Sequence, residues 1–436
     1  MSSSKFSLIS FILSSTFIVF NVGYFARELK LFPYQLYTEA MKGWSQIREQ
    51  KSEQLPWFYI RSGKPPSEVI KNISQTQPGL SLVTEIAAER SILAKIIDLN
   101  GNTVHKWDID WFKIWPNPEH LPENIVPQSQ PGTNIHGAVV MENGDLVFNF
   151  ESKGLVRLNR NSQVVWRLPY LTHHSIHQHD DGNLWVSGTK YQTERVARLP
   201  NLLPPFYEET ILEISPEGKI LREWYVADLL RKNGYTGLLY LGNLNNENTV
   251  IQGDDRLLGK TDILHLNDLE PFSAQMKPGF FQPGDVMVSL RNINTIFVFN
   301  VESEEIKYIS TGQFVRQHDP DFIDGDTISV FDNNNANEPE RKSKITIISA
   351  KDNHHQVFFE GSKDDQFFTR VMGKHQWQPN GNLLITESMA GRGFEINPQG
   401  KVVWEYVNYV EPGIVGVVGE VQRLSPEYTE LFTPKE

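Results

Sequence analysis

Twelve histidines and no cysteine in a chain of 436 residues make imidazole the main candidate for chemistry. The segment "THHSIHQHDDGNLWVSG", residues 172–188, alone holds His173, His174, His177 and His179. His136, His174, His318 and His375 each precede a turn glycine (Gly144, Gly182, Gly325 and Gly381) by six to eight residues. His265, in "ILHLNDLEPF", stands in a comparable place before "GDVMVSLRN". Imidazole titrates near pH 6.5, so the neutral ring serves as nucleophile, general acid/base or metal ligand. The absence of cysteine excludes thiolate nucleophiles, disulfides and cysteine-ligated zinc. His177 and His179 sit further along their strand and are read as structural.

Separate segments must fold so that these histidines meet. From about residue 79 the sequence runs in short alternating stretches broken by Gly, Asn, Asp and Pro, a β pattern. "IHGAVVMENGDLVFNF", "IHQHDDGNLWVSG", "QHDPDFIDGDTISVFDN" and "KHQWQPNGNLLITES" repeat one hairpin type, each followed by a second type such as "FEINPQGKVVWEYV". About six such units of roughly 40–60 residues predict an all-β, six-bladed β-propeller. Innermost strands of successive blades face one channel, so the five histidines are expected to form a ring. The first unit lacks its leading half, and "VGEVQRLSPEY" near the C-terminus is expected to close the circle, leaving no open edge. Trp107, Trp166, Trp224 and Trp404 recur near outer hairpin ends and are read as packing between blades. Residues 189–209 are read as a long insertion covering the channel mouth.

Composition narrows the partners. A formal charge of −12 with no basic stripe argues against nucleic acid. Between Lys5 and Arg27 no charged residue occurs, a length that matches a bilayer core of about 30 Å. Residues 1–30 are therefore expected to be a single transmembrane helix or a signal, with the uncleaved anchor favoured because no A-x-A-like site ends the stretch. Residues 31–78 read as a stalk helix up to about residue 51 and a Pro/Ser-rich linker, and residues 79–436 as the propeller.

"THHSIHQHDDGNLWV", "ILHLNDLEPF" with "MVSLRNINTIFVFN", "QHDPDFIDGDTISVFDNN" and "NGNLLITESMAGRGFEINPQGKVVWEYV" resemble, in the same order, the blades of the bacterial arylsulfate sulfotransferases, the PAPS-independent arylsulfotransferase family. The resemblance implies a six-bladed propeller exported across a bacterial inner membrane, here a single-pass protein with its propeller on the periplasmic or extracytoplasmic side. It implies transfer of a sulfuryl group from an aryl sulfate to a phenol through a sulfated histidine, with no cofactor. His174 matches the family's "HHD" histidine, with Ser175 in place of the Asp, and His318 matches its "QH" histidine. His375 occupies the region of the nucleophile. Arg341 stands late in "FDNNNANEPERK" relative to the family's arginine, whereas Arg291 matches the "SxR" strand.

These residue types suit the implied chemistry. A sulfuryl group spreads negative charge over three oxygens, which cationic donors stabilise, and a departing phenolate needs a proton. The expected catalytic set is His375, His318 and His174, with Arg291, His265, Asn267 and His136 binding substrate and no metal. Two alternatives stay open. A metal-dependent propeller hydrolase would place a hard cation on oxygens such as those of Asp319, Asn267 and Asp268. A non-catalytic membrane-tethered propeller would bind ligands without turning them over.

Overall fold

The β pattern of the sequence is realised as antiparallel sheets from residue 81 onward, with polar turns between strands whose apolar residues are buried. The structure, a computed structural model, describes residues 11, 14–17, 19–25, 55–62, 74–200, 202–241, 262–335, 342–362 and 366–433. The chain divides into two units, Met1–Trp57 and Phe58–Glu436. In the first, the described residues between 11 and 25 are helical, and Phe17, Phe20 and Phe25 are exposed. Among the described residues no helix is long and apolar enough to cross a membrane. The expected stalk helix and Arg341 lie outside the described residues.

The second unit holds six four-stranded antiparallel sheets among its described residues. Five follow the chain order from their innermost strands, Ile135–Val140, Leu171–Gln178, Leu266–Pro271, His318–Asp324 and Lys374–Trp377, which open the second to sixth sheets. The first sheet takes its innermost strand, Val418–Arg423, from the C-terminal end, paired antiparallel with Ser81–Ile86. Each of these six strands touches the next, and Val418–Arg423 touches Ile135–Val140, so the contacts run in a closed circle. The architecture is all-β and propeller-like.

Separate apolar clusters fill the spaces between neighbouring sheets. Leu82, Trp107 and Phe148 lie between the first and second, and Phe331, Ile385 and Phe394 between the fifth and sixth. Burial on both faces explains the nearly continuous apolar runs of inner strands such as Asp285–Leu290. The recurrent tryptophans tie sheets together: Trp166 Nε1 donates to the Pro216 carbonyl at 2.9 Å, and Trp404 Nε1 to that of Leu99 at 3.0 Å.

Two stretches differ from their sequence reading. Tyr59–Arg61, inside the presumed linker, is a strand paired with Ile414–Gly416. Both ends of the expected insertion at 189–209 are strand, because Thr189–Gln192 pairs with Phe206–Glu209 and lengthens two strands of the third sheet.

Candidate functional site

Four inner strands share one irregularity. Pairing in the second to fifth sheets skips between Ile135 and Gly137, opposite Val186/Ser187, between Leu266 and Asp268, and between His318 and Asp321. A bulge bends the strand end and turns the residues beside it. His136 and His174 lie within such skips, His318 lies at the edge of its own, and His265 comes one residue before the edge residue Leu266. The local backbone is costly: His174 and His265 have φ of 57° and 56°, a left-handed conformation that costs non-glycine residues about 1–3 kcal/mol each.

The result is an imidazole cluster centred on His174. Its ring centroid is 4.1 Å from that of His136, 5.0 Å from those of His173 and His265, and 6.1 Å from that of His318. The expected ring thus forms with four of its five members, and His173 joins it.

Polar partners orient the rings. His136 Nδ1 lies 2.7 Å from Glu151 Oε2, and His265 Nδ1 lies 2.6 Å from Asp262 Oδ2. His173 bridges His174 and Glu209, with Nδ1 2.8 Å from His174 Nδ1 and Nε2 3.4 Å from Glu209 Oε2. His318 Nδ1 is 2.6 Å from Asn333 Oδ1. The Asn333 amide nitrogen donates to the carbonyls of Thr369 and Met372, so its oxygen must accept from His318. That fixes the proton on His318 Nδ1 and leaves Nε2 as a lone pair, buried without a hydrogen-bond partner.

Burial and neighbours separate the proton affinities. Burial, then the nearby charges of Arg291 and the other histidines, push His318 well below the ordinary imidazole value. His174 falls in the same direction through burial and the surrounding imidazoles. His173 rises, because its bond to Glu209 and the carboxylates around it outweigh burial. Burial would raise Glu151, but His136 and the other nearby donors pull it below the usual carboxylate range.

The remaining sequence candidates fall elsewhere. His375 does not join the cluster, because the sixth sheet pairs without a skip and His375 stays in its ladder opposite Ile385, as Ile176 does opposite Val186. Gly373 occupies the place, counted back from the turn glycine, that His174 occupies before Gly182. The His375 side chain is fully buried, with Nδ1 3.1 Å from Asp319 Oδ2 and Nε2 2.7 Å from Ser329 Oγ. Asn267 ties two sheets through its amide nitrogen, which donates to the Gln317 carbonyl at 2.7 Å, while its Oδ1 is buried without a hydrogen-bond partner. Arg291 is half-buried at the end of its strand, and its charge reaches His318.

His375 borders a second polar group. A cavity of about 360 Å³ is lined by His177, Glu270, Asp319, Asp321, Lys374, His375, Trp377 and Glu420, among others. Burial and neighbouring carboxylates hold Glu270 up at about 8 and Asp321 well above its ordinary value, while the bond from His375 and the charge of Lys374 keep Asp319 low. Among the described residues, two trios have the spacing to hold a metal ion, His136–Glu151–His174 in the cluster and Asp319–Asp321–His375 beside this cavity. A larger cavity of about 660 Å³, lined by residues such as Phe368 and Arg392, touches none of the histidines.

Sequence reasoning found the histidines but missed Glu151, Glu209, Asp262 and Asn333, which orient them. The one available signal was position, since Glu151 and Asn333 each follow the second strand of a histidine-bearing hairpin.

A circle of four-stranded sheets whose inner strands gather imidazoles at their ends defines an all-β, propeller-like protein with a polar axial site. The chain belongs to the arylsulfotransferase (ASST) family, whose model matches residues 137–409. No curated protein matches the chain. Solved structures similar to it include a protein of unknown function from Bacteroides caccae, at 14% identity and a TM-score of 0.47, covering 78% of this chain and 98% of that one. Virginiamycin B lyase from Staphylococcus aureus gives 12% identity and a TM-score of 0.38, covering 81% and 88%. The β-propeller domain of Myceliophteria thermophila Cps50 (Swd1) gives 9% and 0.39, covering 81% and 90%.

Proposed function

We propose that this chain is a six-bladed propeller enzyme that moves a sulfuryl group from an aryl sulfate to a phenol through a sulfated histidine, without PAPS. The observation that carries the reading is the pairing of a neutral His318, its Nε2 lone pair unspent, with His173 of raised proton affinity in the same cluster. Titratable groups pushed apart by their surroundings mark nucleophile and acid.

His318 Nε2 attacks sulfur, forming an N–S bond as the bond from sulfur to the aryl oxygen breaks. The departing phenolate takes a proton from the His174–His173 pair, whose far end rests on Glu209. In the second half-reaction the acceptor phenol gives its proton back to that pair, and its oxygen takes the sulfuryl group from His318. Arg291, His136 and His265 stabilise the charge on the three sulfuryl oxygens. His375, with both ring nitrogens occupied, stays outside these steps. Helical residues near the N-terminus are the proposed membrane anchor, with the propeller on the extracytoplasmic face.

The trio His136–Glu151–His174 favours a second reading, a metal-dependent hydrolase at the same cluster. One experiment separates them. Purified protein receives a chromogenic aryl sulfate, with or without a phenol acceptor and EDTA, and acid-quenched and alkali-quenched samples go to peptide mass spectrometry. Sulfuryl transfer gives acceptor-dependent phenol release that survives EDTA, with one acid-labile SO₃ on the peptide containing His318. Release abolished by EDTA selects the hydrolase, and a mass on the His375 peptide reassigns the nucleophile. No release with any aryl sulfate leaves a binding module.

A further inference from the structure

The bulge that carries His318 is braced from the neighbouring sheet. Register in the fifth sheet skips from His318, opposite Phe331, to Asp321, opposite Ser329, so Asp319 and Pro320 share the place across from Val330. Asp319 takes up the extra length with φ of 46°, in the left-handed region. Its Oδ2 accepts two bonds from one residue of the sixth sheet: the His375 backbone N–H at 2.5 Å, and the His375 ring at Nδ1, 3.1 Å away.

The other ring nitrogen closes the brace. His375 Nε2 lies 2.7 Å from Ser329 Oγ, on the residue that faces Asp321 at the far edge of the same skip. Trp377 Nε1 donates to that oxygen at 2.9 Å, so the Ser329 hydroxyl proton goes to His375 Nε2. The ring therefore carries its own proton on Nδ1 and donates it to Asp319. With no exposed side-chain surface and both nitrogens engaged, His375 ties the bulged strand to its partner strand across the skip.

The same stretch of chain supports the His318 ring. Asn333, whose oxygen orients that ring, donates to the carbonyls of Thr369 and Met372 at 3.0 and 2.7 Å, just ahead of His375 in sequence. Gly373 lets the stretch lie this close, since a Cβ there would come within 2.6 Å of the ring of Phe331, the residue opposite His318. Ring and backbone of His318 are thus both held by residues 369–375.

We propose that His375 is a positioning residue for sulfuryl transfer, fixing through Asp319 the bulge that aims His318 Nε2 at sulfur. The inference rests on the sulfuryl-transfer reading with His318 as nucleophile. It gives a role to the one recurring histidine that the cluster leaves out, and His375 itself makes no bond to the sulfuryl group.

The test uses full-length His375→Leu, which removes both ring contacts, and His375→Asn, whose side-chain amide keeps a donor for Asp319. With a chromogenic aryl sulfate and saturating phenol, His375→Leu is expected to lower kcat about 10²-fold, as misplacement of a reacting group by about 1 Å does, with KM for the aryl sulfate unchanged. His375→Asn is expected to recover at least about 10-fold of that loss. A second readout needs no turnover. In protein labelled with ¹⁵N-histidine, the His318 ring signals, assigned by their loss in His318→Gln, should move in His375→Leu and stay in place in His375→Asn. Should His375→Leu fail to fold, Ser329→Ala takes its place, freeing Nε2 and with it the fixed tautomer, and the same changes in smaller size are expected. Wild-type kcat in His375→Leu, a rise in KM alone, or equal losses in the two His375 variants overturns the positioning role. Absence of transfer by the wild type defeats the sulfuryl-transfer reading instead, and the brace is then judged by the His318 signals, which overturn it if they do not move in His375→Leu.

Discussion

His318 and His174 are neutral in the folded protein, whereas in the unfolded chain each takes up a proton below about pH 6.5. The unfolded state then binds more protons, so folding loses stability as pH falls from about 6.5 toward the depressed folded values. His173 works in the opposite window: its contribution is full below about 6.5 and disappears as pH rises through its raised folded value. Each buried neutral ring should therefore add a slope of about 1.4 kcal/mol per pH unit on the acid side. Urea unfolding of wild type and His318→Gln between about pH 5 and 6.5 measures this as a difference between two curves. The variant is expected to lose less stability on acidification, and parallel curves would mean that His318 is not held neutral.

The bulges decide which histidines meet, and bulges are only faintly written in sequence. Recurring histidines before turn glycines were enough to bring His136, His174 and His318 together, and His265 followed from its place before "GDVMVSLRN". His375 stands nearer its turn glycine than they do, and that small difference in spacing marked a strand with no bulge. The orienting carboxylates were not legible, because Glu209 and Asp262 reach the cluster from a partner strand and a loop with no fixed offset from any histidine. Gly137 shows how tightly the bulges are matched, since a Cβ there would lie 2.1 Å from the His174 carbonyl oxygen. Neither backbone can yield without moving His174. Gly137→Ala is expected to cost about 1–3 kcal/mol as overpacking. It should also lower transfer about 10²-fold, since misplacement of reacting groups by about 1 Å has that effect. Denaturant unfolding and the aryl-sulfate assay on one preparation check both, and a variant with wild-type turnover would remove the bulge from the account of the site.

Closure of the circle rests on one strand from the far end of the chain. Val418 and Val421 are buried between the sixth and first sheets, and Arg423 lies within a buried ion pair, 3.0 Å from Glu395. Removing residues 418–436 would leave Ser81–Ile86 as an open edge and Glu395 without its arginine, and breaking a buried pair in that way costs about 3–5 kcal/mol by itself. Glu420 and its contact with Lys374 would go as well. Against the 5–15 kcal/mol that typically separates folded from unfolded domains, losing a whole inner strand is not a local event. The sheets share apolar clusters around the circle, so the opening should spread and abolish the cooperative transition. Deletion of residues 1–57 removes no strand of any of the six sheets and should leave that transition in place. Calorimetry of both truncations makes the comparison. A sharp, near-wild-type transition in the chain ending at residue 417 would mean that the circle is not closed by Val418–Arg423, and that the cluster around His174 owes its geometry to neighbouring sheets alone.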